Sequence, residues 1–301
     1  MASRAFNLNP KQAKRARIAA QILYTLICVI VMILVLLPIL VLLINVTRSE
    51  KQILTGFEFL FGSSFADNFK AFMDFMSENK FSPIRSFFNS VIISVLSTAV
   101  SVYFSAMTAY AIHVYDFKGK KFFEKFILML IIIPNQLGAV GFYTIAKKYL
   151  NLSPAINQSY LAYAIFILPA IASASTVYFL RQYMKNNFSL EYVDAARMDG
   201  ASEFRIFNTV CLPFIKSSLA TMALFGIIAS WNNFMGPLTF LDKGQEQLYT
   251  FPQLAYYIGK EEHVNVAAQY MGIFITALPM LLVYIIMNRI IMKGTAAGGL
   301  K

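Results

Sequence analysis

The polar residues that could do chemistry in this chain sit in three places, each inside or beside a long apolar run. A hinge, 189–213, carries Glu191 and Asp194 between two apolar segments. Acids near the start of a short helix are favoured by its dipole and can pair with basic groups on another surface. The string Pro134-Asn135-Gln136-Leu137-Gly138 interrupts a second apolar run. A proline and two amides are costly against lipid, so this break must face a helix bundle or a wet path. Asn135 and Gln136 either line that path or satisfy the backbone that Pro134 frees. Trp231-Asn232-Asn233 offers an aromatic face with amide donors and acceptors, chemistry suited to a solute with both apolar and hydrogen-bonding faces. Trp231 has a second reading. It stands 18 residues past Pro213, about 27 Å along a straight helix, a depth at which tryptophans anchor in the membrane interface.

Other chemistries lack their residues. There is no G-x-x-x-x-G-K-[ST] phosphate loop, so ATP hydrolysis, if used, belongs to another polypeptide. Neither His113 nor His263 sits in a metal-spaced or acid-paired cluster, and Cys28 and Cys211 form no C-x-x-C pair. Neither G-x-S-x-G nor H-E-x-x-H occurs. The chain is expected to be no enzyme and to hold no metal.

The elements that must position these residues are membrane helices. Of 301 residues 58% are hydrophobic, well above a soluble domain, and the apolar residues come in long runs. The runs predict an all-α membrane protein of six transmembrane helices. A basic N-terminus, 1–17, precedes a first span over 18–46 with a kink at Pro38, and an external loop over 47–85. A five-helix core over 86–293 comes next, with spans near 87–114, 122–146, 160–180, 214–236 and 270–292, and a short tail, 294–301. The net charge of +11 is topological rather than a nucleic-acid footprint, because Lys and Arg cluster beside span ends. With both termini and the hinge inside, 17 of the 26 Lys and Arg lie on the cytoplasmic side. The hinge reads as two short helices. Residues 190–198 favour helix, Gly200 suits a left-handed stop, and Pro213 bends the second helix away from the next span. Leu190, Val193 and Ala196 share one face, Glu191, Asp194 and Met198 another, and Phe204, Phe207 and Cys211 form the second helix's apolar stripe.

At the hinge the sequence resembles a known family. Asp194-Ala195-Ala196, three residues, Gly200, nine residues, Val210, one residue and Leu212-Pro213 match the spacing of the EAA loop in permease subunits of binding-protein-dependent ABC importers. Asp194 stands where the family usually has Glu, and Val210 where it has Ile; both keep the chemistry. Asn89-Ser90, Arg181-Gln182-Tyr183, Asp199-Gly200-Ala201-Ser202, Ser230-Trp231-Asn232-Asn233-Phe234 and the tail from Ala296 to Lys301 resemble carbohydrate-uptake permeases, nearest to the smaller maltose-type subunit.

The resemblance implies a type I importer permease fold with a cytoplasmic coupling helix between helices four and five, in the inner cell membrane. It also implies a heterodimer with a second permease, two ATPase subunits holding ATP and Mg, an external sugar-binding protein, and a sugar or oligosaccharide substrate. Glu191, Asp194, Ala195, Ala196, Gly200, Leu212 and Pro213 would then couple to an ATPase. The tail, with Gly298 and Gly299, would reach between the ATPase subunits, and its glycines would leave it too flexible to fold alone. The segment 244–269 would reach the binding protein or be a solvated connector. Two other classes stay open: an ion-coupled secondary transporter, for which the spans carry almost no buried ionisable groups, and an importer permease for a solute other than sugar.

Overall fold

The computed structural model describes residues 10–133, 135–148, 162–171, 173–241, 245–260 and 265–298. Every regular element among them is a helix. The chain divides into two units, Met1–Ala71 with Asn265–Phe274, and Phe72–Val264 with Ile275–Lys301.

In the first unit α1 (Pro10–Asn45) forms the first predicted span, with Pro38 inside it. Its apolar side chains are exposed on all sides along most of its length, as a lipid-facing helix requires. The chain then folds tightly. α2 (Glu50–Leu54) starts on a capping box between Ser49 and Gln52. Arg48 turns inward and donates to the carbonyls of Gln52 and Gly56 at 2.7 and 3.0 Å. The Asn68 amide, on α3 (Phe65–Glu78), donates to the carbonyls of Val46 and Arg48. These bonds satisfy backbone carbonyls in the turn after α1 and at the end of α2.

The second unit is built on α4 (Pro83–Val114), which starts on an N-cap bond from Ser82 with Pro83 in its first turn. It packs against α8 (Ala174–Asn187) and α11 (Lys216–Trp231). Its inward side is lined with small residues, Ser90, Ser94, Ser97, Ser105, Ala106 and Ala109, which let neighbouring helices come close. A Cβ added to Gly226 of α11 would stand 2.9 Å from Thr98 Cγ2. Two apolar clusters flank this contact. One gathers Ile93 with Tyr143, Phe166 and Phe240; the other gathers Ala106, Tyr110, Leu180, Met184, Val193, Phe207 and Ile215.

The remaining elements refine the predicted spans. Over the third predicted run lie α5 (Lys120–Ile132) and α6 (Asn135–Lys148), one on each side of the predicted break, and neither is among the helices long and apolar enough to cross a membrane; Pro134 itself lies outside the described residues. The fourth begins with α7 (Ala162–Ile167) and ends with α8, seven residues past the expected limit of 180. It continues because Arg181 is neutralised there by an ion pair with Glu124 of α5. The fifth is bent: α10 (Glu203–Phe214) meets Lys216–Phe240 at 83°. α12 (Met235–Phe240) and α13 (Phe251–Lys260) come after it, and α14 (Val266–Gly298) holds the sixth. α14 runs on through Gly294 to Gly298, so that part of the tail is helical rather than flexible. Isolated glycines cost about 1 kcal/mol each in a helix, too little to stop one this long. By length and composition four described helices can cross a membrane, or five if the bent pair counts as one span.

Candidate functional site

The hinge is a compact knob of two helices. α9 (Glu191–Met198) carries Glu191 and Asp194 in its first turn and Arg197 in its last, the order the helix dipole favours. It ends in a Schellman turn: Gly200 N–H donates to Arg197 O at 2.9 Å, and Ala201 N–H to Ala196 O at 3.0 Å. Gly200 makes that turn with φ +78°, the left-handed geometry expected of it. α10 then starts after Ser202 and contains a π turn over Phe207–Cys211. Pro213 has no N–H to continue the ladder, and the chain bends at Ile215.

Val193 is fully buried and Ala196 packs beside it against the cluster around α4, whereas Ala195 is exposed. Leu190, placed on the same face by periodicity, is exposed, and so is Phe204. The second helix buries Ile206, Phe207 and Cys211 instead. The wider π turn moves the buried arc away from Phe204. As a result the knob's outward surface is apolar at its tip, with Met198 88% and Phe204 66% exposed.

The knob's charges are tied to one another. Arg197 Nε donates to Glu203 Oε1 at 2.7 Å, and its Nη1 donates to Asp194 Oδ1 at 3.1 Å. Glu203 Oε2 accepts from the Tyr110 hydroxyl of α4 at 3.2 Å. Arg197 holds the Glu203 carboxyl below the usual carboxylate range, and Glu203 in turn raises the Arg197 guanidinium. Burial, helped by Glu203, pushes the Tyr115 phenol up. Asp194 is therefore partly committed within its own loop. The i, i+3 spacing of Asp194 and Arg197 was a readable signal of that pair; the link between Arg197 and Glu203, across the turn, had none.

This hinge lies inside the stretch, residues 101–293, that matches the family described as "Binding-protein-dependent transport system inner membrane component". The chain belongs to that family. It is 34% identical to an arabinooligosaccharides transport system permease protein of Halalkalibacterium halodurans, over 71% of this chain and 73% of that protein. A maltodextrin transport system permease protein of Bacillus subtilis is 27% identical over 80% of this chain and 82% of its own. A solved structure of a bacterial ABC transporter involved in the import of the acidic polysaccharide alginate has the same fold. Its TM-score is 0.68 at 19% identity, covering 91% of this chain and 97% of that one.

The other polar residues of this inner membrane component occupy several different settings. Trp231 is 4% exposed, enclosed edge-on by Phe87 and Phe251 at 5.9 and 6.1 Å between ring centres. Asn232 and Asn233 are exposed. Asn233 Oδ1 accepts from Gly236 N–H at 3.2 Å, and Gly236 lies against Tyr143 of α6. A Cβ on Gly236 would come within 2.7 Å of that tyrosine ring, so α6 and α12 touch closely here. Asn135 and Gln136 open α6, but their side chains lie outside the described residues, as do Gly299 and His263. His113 Nε2 is hydrogen-bonded to Phe188 O at 3.0 Å, a structural role. Asn89 and Ser90 are also structural. The Asn89 amide donates to the carbonyls of Gln247 and Tyr249 and its oxygen accepts from Tyr163, while Ser90 accepts from Phe251 N–H. Together they fasten the 245–251 segment to α4.

Proposed function

We propose that this chain is one permease subunit of an ATP-driven importer of a sugar or oligosaccharide, forming half of the translocation pathway, and that its 189–213 knob docks on a separate ATPase subunit. The observation that carries the reading is the knob itself. It is a rigid two-helix unit, closed by a Schellman turn at Gly200 and tipped with exposed Met198 and Phe204, in a chain that has no phosphate loop. An exposed apolar tip of this kind suits a groove on another protein. Glu191, Ala195 and the free edge of Asp194 add polar and close-packing contacts, and Leu212-Pro213 carries the chain into α11. The sugar class is supported by relatives named for arabinooligosaccharides and maltodextrin.

In full the reading has six spans with both termini cytoplasmic, a second permease subunit, two ATPase subunits and an external binding protein. Exposed Asn232 and Asn233, with Asn135 and Gln136 at the start of α6, offer amides to the solute path; Trp231 supports them from behind as packing. The end of α14 near Gly298 and Gly299 reaches toward the ATPase subunits, and deleting 296–301 lowers uptake per ATP. The test is reconstitution of the chain with its second permease and ATPase subunits. Uptake of labelled arabino-oligosaccharide or maltodextrin should require both ATP and the binding protein. Solute movement by the purified chain alone down an ion gradient would overturn the reading in favour of secondary transport. Labelling of Ala195→Cys by an impermeant maleimide only from the outer face would overturn the orientation.

A further inference from the structure

The knob is fastened more firmly to α4 than to the next helix in sequence. The Tyr103 hydroxyl donates to Asn208 Oδ1 at 3.2 Å and the Tyr110 hydroxyl to Glu203 Oε2 at 3.2 Å. His113 bonds Phe188 O, at the entrance to the knob. The rings of Tyr103 and Tyr110 both pack on Phe207, at 5.6 and 5.5 Å between centres. From 103 to 113 this seam runs about 15 Å along α4. It holds both limbs of the knob, because Arg197 joins α9 to Glu203 of α10. The covalent route onward is weaker. It crosses a π turn, a proline without an N–H and an 83° bend before α11 begins, and such breaks are where helices yield. α11 instead meets α4 side by side, backbone to side chain, at Gly226 and Thr98.

We infer that the knob and the 103–114 end of α4 move as one rigid body, with Tyr103, Tyr110 and Glu203 as its positioning residues. A displacement imposed on the knob enters the bundle through α4 and reaches α11 sideways. The π turn and the bend at Ile215 absorb the rotation between knob and α11. The inference rests on the importer reading, and it replaces the route through Leu212-Pro213 with one through α4.

The test locks the seam. Tyr103→Cys and Asn208→Cys are introduced with Cys28→Ser and Cys211→Ala, and the reconstituted complex is bridged by a short thiosulfonate cross-linker that reductant cleaves. If the two parts move together, the bridged complex takes up labelled oligosaccharide with ATP as well as the cleaved one does. Uptake that bridging stops and reductant restores would overturn the inference. Should the cysteine complex fail to assemble, the variant with Tyr103 and Tyr110 both changed to Phe keeps both rings and loses the hydroxyl bonds. Its uptake per ATP hydrolysed should fall by roughly threefold to tenfold while ATPase activity persists. An unchanged ratio would refute the positioning role. Failure of ATP-dependent uptake in the unmodified complex would instead count against the importer reading.

Discussion

Gly200 offers a direct measure of how much the knob depends on its turn. Its φ of +78° lies in the left-handed region, and a Cβ there would meet no atom within 4 Å. A substitution therefore costs conformational strain and nothing else, about 1–2 kcal/mol for an ordinary residue. Leaving that geometry forfeits the two turn bonds, Gly200 to Arg197 and Ala201 to Ala196, worth roughly 1–3 kcal/mol together. The two quantities are close, so the outcome depends on the side chain. Gly200→Asn, tolerated in the left-handed region, should retain the turn nearly intact. Gly200→Ala should retain it with a small loss of stability. Gly200→Val, branched at Cβ, should open the turn in a substantial fraction of molecules and free α9 to swing relative to α10. Uptake per ATP in the reconstituted complex should then fall in the order Gly, Asn, Ala, Val. A Val variant with wild-type coupling, or Asn and Ala variants as damaged as Val, would refute the argument that φ alone matters here.

Gly226→Val places a side chain against Thr98 across α4 and α11; overpacking of this kind costs about 1–3 kcal/mol, and Thr98→Ala should recover much of the lost melting temperature. Glu203 is held below its ordinary value by Arg197, so its contribution to stability is complete above the unfolded-state value and is lost as pH falls through the folded one. Melting temperature recorded down through the carboxylate range should drop less steeply in Glu203→Gln than in the native chain, and parallel slopes would exclude this pair as a source. Trp231→Ala should destabilise by about 3–5 kcal/mol, whereas Trp231→Phe should leave solute preference unchanged. Asn232→Ala or Asn233→Ala should raise the KM for uptake; a change of preference in the Phe variant would restore Trp231 to the solute path.

Much of the knob was legible in the sequence because its determinants are local. Helix propensity, a glycine stop and a proline bend act over a few residues, and Gly200 and Pro213 do what their chemistry dictates. The first and second spans were legible for the same reason, as long uninterrupted apolar runs. Other contacts involve partners far along the chain, beyond the reach of any short stretch. Asn89 and Ser90 are bonded to backbone near 247–251, about 160 residues away, and no periodicity encodes such a pairing. Phe204 was assigned to the buried stripe on an α-helical period that the π turn does not keep. The tail was expected to be flexible from its glycines, yet helix momentum from α14 carries through to Gly298.

By itself the sequence determined that this is a helical membrane chain with a hinge of two short helices between apolar runs, since composition, run length and turn chemistry are properties of short stretches. Only the tertiary structure decided which neighbours the knob grips, that Trp231 is walled in by Phe87 and Phe251, and that Arg197 and Glu203 close one network with α4. Those facts depend on which helices lie side by side, and packing of that kind is set by the bundle as a whole.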